Sequence, residues 1–344
     1  MVLCKTQFNQ FHEAIKLKEE NATLKEKRDI IINKINEKLP DEARYGFTIF
    51  NQGSYAMNTG IKPLDNDYDI DVGLYFDMSK EDVKPVVAKQ WIYDALEGHT
   101  SDIKIKVPCV TVTYKDGYHV DVTVYASSND DGKVYLAKGK SGSLEVNKYW
   151  DESNPKDLIN EIRDHLSDKD DRRQFRRVVR YLKRWKDLKF NTGSGKPTGI
   201  ALTSCVYHWL TIQKDVDLFD KTTTYKDLDA LINIVSQMIS RFVDEYVEVD
   251  GEYKYMPRLK VYLPVEPNPE LFEKMTSKQM VTFKEKLVVL LEKLKEAREH
   301  SDPTDAAEIL RTQLGNDFPI PPRSTTGRRA YAAPVIPSSE SALD

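Results

Sequence analysis

Between residues 6 and 39 the apolar side chains recur at helical spacing. Phe8, Phe11, Ile15, Leu24, Ile31, Ile35 and Leu39 follow a roughly 3.6-residue period, with Glu and Lys filling the other positions. One long amphipathic helix is predicted, stopped by Pro40. The period then shortens to two. Tyr45–Phe50, Asp69–Phe76, Ile103–Tyr114 and His119–Tyr125 are β-prone or alternating, and Asp116-Gly117 between the last two is a hairpin signal. A helix fits Lys80–Glu97, with Ser79 placed to cap it. From Asn154-Pro155 onward the spacing is helical again, with further helices expected near 171–190, 198–213, 224–246, 277–299 and 303–314, the last ended by Gly315. Residues 319–344 carry five prolines, four serines and few apolar groups, and read as a disordered tail.

The resulting class is α+β: a mixed sheet with helices and a long N-terminal helix over residues 1–165, a helical lobe over 166–318, then the tail. A chain of 344 residues suits two packed lobes, since single cores rarely grow beyond roughly 250–300 residues.

Charge and cysteine content narrow the function. Fifty-one basic residues against 55 acidic ones give a net charge of −4, which argues against a purely electrostatic nucleic-acid binder while leaving room for a local basic cleft. Cys4, Cys109 and Cys205 are far apart, form no CxxC pair, and stand among scattered histidines. A disulfide framework and a structural zinc site are both disfavoured. No apolar run of about 18 residues or secretory h-region is found, so a soluble protein of a reducing compartment is expected.

The candidate chemistry lies between residues 52 and 121. Asp69 and Asp71 are two apart on an expected strand, so both carboxylates face one side while Ile70 faces the other. Such a pair repels itself unless cations intervene, and Mg²⁺ is the usual ion where phosphates complete its shell. Asp121 interrupts the alternation of His119–Val124; beside the first strand it completes a three-carboxylate site for two metals about 3.5–4 Å apart. Gly53-Ser54 leaves a strand as a turn whose backbone N–H groups, with the Ser54 hydroxyl, can approach phosphate oxygens. Asp65, Asn66 and Asp67 read as loop residues after Pro63.

The wording GSYAMNTGIKPLDNDYDIDVGLYF followed by HVDVTVYA resembles the polymerase-β-like nucleotidyltransferases, and more closely the bacterial cGAS/DncV-like nucleotidyltransferases (CD-NTases) of the CBASS anti-phage systems. The resemblance spans about residues 1–318. It implies a bilobal fold with a long spine helix, and synthesis of cyclic di- or trinucleotides from ATP, GTP or other nucleoside triphosphates. It also implies two Mg²⁺ ions, with Mn²⁺ as the alternative, a bacterial cytoplasmic setting, and a downstream effector that reads the cyclic product. In this reading Asp69, Asp71 and Asp121 are catalytic metal ligands, and Gln52, Gly53 and Ser54 hold the donor triphosphate.

The Arg180–Trp185 stretch matches the helix whose lysine contacts phosphates, which points to Lys183, one of eleven basic residues from Arg163 to Lys189. Thr198 keeps a hydroxyl where relatives carry the first serine of a Pro-Ser-Ser stretch, whereas Gly199 has none. The missing zinc ribbon disfavours DNA activation. The tail is expected to be dispensable for synthesis and to reach a regulatory partner. Two other readings share part of this pattern: a template-independent RNA nucleotidyltransferase of the poly(A) or CCA-adding type, and a catalytically silent nucleotide-binding scaffold.

Overall fold

The computed structural model describes residues 4–18, 20–43, 45–190 and 195–323. Its first lobe is a mixed sheet of seven strands: β1 (Phe47–Gln52), β2 (Tyr68–Phe76), β3 (Asp102–Ile105), β4 (Val110–Thr113), β5 (Tyr118–Ala126), β6 (Tyr135–Ala137) and β7 (Trp150–Glu152). The order is β1-β2-β5-β4-β3, with β6 pairing the far end of β5 and then β7. β2 and β5 run parallel in the centre; β1 and β4 flank them antiparallel. Ile70, Val72, Leu74, Val120, Val122 and Val124 are fully buried on one face of these central strands. They pack in one core with Ile31 and Ile35 of α2 (Glu20–Lys38) and with Ala88 and Ile92 of α4 (Pro85–Leu96). That burial fixes the register, because a one-residue slip would turn each valine outward.

The second lobe packs α5 (Pro155–Asp164), α6 (Lys169–Lys189), α7 (Gly199–Trp209), α8 (Asp227–Ser240), α9 (Ser277–Glu299) and α10 (Pro303–Leu314) around a separate core. The N-terminal α1 (Lys5–Ile15) belongs to this core: Phe11 stacks on Tyr181 of α6 at 5.4 Å, and Phe8 meets Phe318 edge-on at 5.2 Å. Two hairpins decorate the lobe, β8–β9 (Lys214–Val216 with Thr223–Tyr225) and β10–β11 (Val243–Val249 with Glu252–Arg258). Among the described residues no helix is long and apolar enough to cross a membrane.

Several elements differ from the expectation. The single helix expected over 6–39 is two, because Lys16 turns extended and bridges Ile61, and the backbone N–H of Lys62 donates to the carbonyl of Ile15 at 2.8 Å. Leu17 packs over Gly60, where a Cβ would lie 2.7 Å from it. Tertiary pairing with the segment that follows the Gly53–Ser54 turn thus overrides a locally helical pattern. The helix expected at 80–97 starts only at Pro85; Ser79 closes a tight turn with Asp82 instead of capping it. Val107-Pro108 breaks Ile103–Tyr114 into the β3–β4 hairpin. The helix expected over 224–246 ends at Ser240 and gives way to β10–β11. The signal for that hairpin is Asp250-Gly251, both residues at positive φ as a type I′ turn requires.

Of the expected tail, residues 319–323 run over the start of α10. There Thr304 donates its hydroxyl to the carbonyl of Pro321, and Arg323 pairs with Asp305. Residues 324–344 lie outside the described residues.

Phe318, which follows α10, is fully buried and packs its ring against Phe8 and Phe11 of α1. Phe318→Ala is expected to lower unfolding stability by about 3–5 kcal/mol, the usual cost of emptying an aromatic site. Urea denaturation measures it; a loss below about 1 kcal/mol would contradict this packing.

Candidate active site

The parallel register of β2 and β5 sets the site. Asp71 stands directly beside Asp121, and Asp69 beside His119. Since Ile70 and Val120 are locked in the core, the three carboxylates emerge together on the opposite face of the sheet. Burial first, then Asp121 and Asp67, push the carboxyl of Asp69 up to about 6. Burial, Asp121 and Asp69 do the same for Asp71, to about 6, with Lys183 opposing. Thr111 of β4 donates its hydroxyl to Asp121, fixing that carboxylate.

Gln52 pairs with Asp71 in register, and the chain then turns sharply at Gly53, whose φ is +64°. A Cβ on Gly53 would fall 1.8 Å from Asp71 Oδ2, so both the space and the backbone require glycine. The turn continues as the single-turn α3 (Gly53–Ala56), and Ser54 opens onto a cavity of about 740 Å³. Gln52 is placed differently from the expectation of a triphosphate contact. Its amide lies inside the sheet, donating to Thr123 Oγ1 at 2.7 Å and accepting from the Tyr125 hydroxyl at 2.9 Å. It is not among the cavity-lining residues.

Lys183 reaches the cavity from α6. Its ammonium donates to the carbonyl and hydroxyl of Thr59, both at 3.1 Å, and burial, then Lys186 and Arg180, pull its pKa down to about 7. Gly199 lies beside this side chain, where a Cβ would stand in ordinary van der Waals contact with Lys183 Cε at 3.4 Å. Thr198 is engaged as the N-cap of α7, accepting from the Ala201 N–H at 3.2 Å. Its neighbour Gly199, rather than Thr198 itself, lines the cavity.

The structure therefore brings together Asp69, Ser54 and Lys183 around one cavity, with Asp71 against Gly53 and Asp121 beside Asp71. Three groups escape the sequence reading. Lys186, one helical turn after Lys183, also lines the cavity, as does Lys196. Asp67, read as a loop residue, pairs with His119, and one ligand atom each from Asp67, Asp69 and His119 lies within 4.8 Å of the others. The signal for Asp67 is the unbroken D-x-D-x-D spacing from Asp67 to Asp71.

Three carboxylates on adjacent strands, two of them reluctant to ionise, form a donor set of hard oxygens that fits divalent cations such as Mg²⁺. Near them the buried Lys183 ammonium is hydrogen-bonded to Thr59, and a glycine turn presents its backbone. Acidic groups and a buried ammonium thus lie close together at one cavity. The architecture is the mixed α+β class expected from the sequence.

Residues 47–125 match the family described as cyclic GMP-AMP synthase DncV-like, nucleotidyltransferase domain. A cyclic GMP-AMP synthase of Escherichia albertii is 31% identical over 191 residues, covering 52% of this chain and 41% of the relative's length. Among solved structures, CdnG of Bradyrhizobium diazoefficiens in complex with GTP aligns with a TM-score of 0.67 at 16% identity, over 92% of this chain and 96% of that one. CdnC of Escherichia coli with ATP gives 0.64 at 17% identity, over 92% and 98%. DncV of Vibrio cholerae gives 0.57 at 17%, over 92% and 87%. At these identities the likeness is one of fold.

The raised carboxyls make stability depend on pH and metal together. Asp69 and Asp71 release their protons near 6 in the folded chain, against 3.8 ordinarily. The folded state thus binds more protons than the unfolded one between those values. The stability these groups contribute is present below the ordinary value and lost as pH rises through the folded one. In chelator, Tm is expected to fall as pH rises from about 5 to about 7, and Mg²⁺ to raise it markedly above pH 7 but little near pH 5. An equal Mg²⁺ response at both ends, or one that survives in Asp71→Asn, would contradict this assignment.

Proposed function

We propose that the protein is a metal-dependent cyclic oligonucleotide synthase, joining nucleoside triphosphates with release of pyrophosphate. The observation that carries the reading is the alignment of Asp71 beside Asp121, with Asp69 two residues along the same face, next to the Gly53–Ser54 turn. The relatives support the nucleotide class: CdnG is described with GTP, CdnC with ATP, and DncV with the linear intermediate pppA(3′,5′)pG.

In this mechanism the Gly53–Ser54 backbone and the Ser54 hydroxyl hold the donor triphosphate, and Lys183 adds a point charge to its phosphates. Asp69, Asp71 and Asp121 would hold two divalent cations, which supply charge neutralisation at the phosphates and acidity at the attacking hydroxyl. Asp121, steadied by Thr111, takes up the proton of the attacking hydroxyl. The hydroxyl oxygen of one nucleotide bonds to the α-phosphorus of the other, the bond from that phosphorus to pyrophosphate breaks, and a second transfer closes the ring. The setting that goes with this product is the bacterial cytoplasm. There the cyclic nucleotide activates an effector in anti-phage signalling of the CBASS kind.

The test is incubation with labelled ATP and GTP in Mg²⁺, followed by phosphatase and mass spectrometry. Phosphatase-resistant cyclic product is expected. Linear products that lose label would point to the poly(A)- or CCA-adding reading, and the absence of any product to a silent scaffold. Lys183→Ala is expected to lower kcat/KM at least tenfold, about 1.4 kcal/mol, whereas kinetics within twofold would remove Lys183 from the site.

A further inference from the structure

Lys89 is a buried charge that the site just described does not use. It lies in α4 with no exposed surface, and among the described residues it has no carboxylate partner. Its ammonium donates instead to three backbone carbonyls: Lys106 at 3.0 Å, Val107 at 2.7 Å, and Gly139. Those three bonds use every N–H that an ammonium has. Burial pulls its pKa down to about 8. An apolar side chain would fill the same space without the desolvation penalty, so the gain lies in what the three bonds hold in place.

They hold two loops against each other. Lys106 and Val107 form the turn between β3 and β4, and Gly139 follows β6. The same loops are tied directly, Gly139 N–H to Val107 carbonyl at 3.0 Å, and the turn closes on itself from Lys106 N–H to Cys109 carbonyl at 2.8 Å. This turn leads into β4, whose Thr111 fixes Asp121. From the turn the half-exposed Lys106 side chain places its ammonium 3.9 Å from Asp121 Oδ1. Across the sheet the order is therefore the β1 turn, Asp71 on β2, Asp121 on β5, then Lys106 beyond β4. Lys183 serves the Asp71 end of that row, and Lys106 is the cation at the Asp121 end.

We propose that Lys106 binds the triphosphate of the accepting nucleotide, and that Lys89 is the positioning residue that holds the β3–β4 turn so that Lys106 can do so. The inference rests on the proposed synthase reading, in which Asp121 is nearest the attacking hydroxyl and the accepting nucleotide lies on its side. In the nucleotide-free protein Lys106 is paired with Asp121. Its long, half-exposed stem lets it exchange that carboxylate for phosphate oxygens when the site fills.

Calorimetric titration of the full chain with α,β-methylene-ATP and α,β-methylene-GTP in Mg²⁺ tests this, because these analogues bind without reacting. Lys106→Ala is expected to weaken one of two binding events at least fivefold and leave the other within twofold, with Lys106→Arg restoring it. Lys89→Met is expected to weaken the same event, and the double variant no more than the stronger single one, since both act through one contact. Additive losses, or Lys106→Ala without effect on either event, would overturn the proposal. Lys106→Ala alters an exposed side chain, so the fold remains even if Lys89→Met does not tolerate the change. A wild-type chain that binds neither analogue and yields no product would overturn the synthase reading itself. A chain that forms cyclic product yet is indifferent at Lys106 would overturn only this inference.

Discussion

Like-charge repulsion held in place by hydrophobic burial organises this protein. On β2 and β5 the core takes Ile70, Val72, Val120 and Val122, and the two-residue period of a strand then forces Asp69, Asp71 and Asp121 out on the other face. The sheet cannot relieve the repulsion by slipping, because a shift of one residue would expose the valines. Two of the carboxyls answer by holding their protons to about pH 6. The apolar packing thereby maintains a cluster of carboxylates whose mutual repulsion divalent cations would relieve.

The opposite charge is stored in the same way. Lys183 and Lys89 are buried ammonium groups bound to backbone or hydroxyl oxygens rather than to carboxylates. Lys183 reaches the sheet lobe through Thr59. Arg180, one turn earlier on α6, donates to the carbonyls of Asn58 and Gly60. The backbone of Lys62, bonded to Ile15, fastens the other end of that segment to α1. Residues 58–62 are thus the seam between the lobes, and they follow directly from the Gly53–Ser54 turn. The groups that join the lobes and the Gly53–Ser54 turn at the cavity are neighbours on one short stretch of chain.

Most of the candidate site was legible because its residue types conflict with their surroundings: paired aspartates in an apolar strand, a glycine-serine turn, a lysine on the apolar side of a basic helix. Spacing also located the central strands and most helices to within a few residues. What escaped depends on contacts between distant segments. Nothing local marks the break after Ile15, which exists to pair Lys16 with Ile61. Gln52 and Thr198 carry polar groups in the expected places, but a hydrogen bond inside the sheet and a helix cap occupy them. Lys89 looks in sequence like any helical lysine, and only the loops folded over it show its role.

The central claim is that the three carboxylates form a divalent-cation site for nucleotidyl transfer. Counting bound Mn²⁺ by electron paramagnetic resonance, with a non-hydrolysable nucleoside triphosphate present, tests it most directly. About two ions per wild-type chain are expected, and none retained when Asp69, Asp71 and Asp121 are all changed to Asn. A folded triple variant that holds as many ions as the wild type would contradict the account.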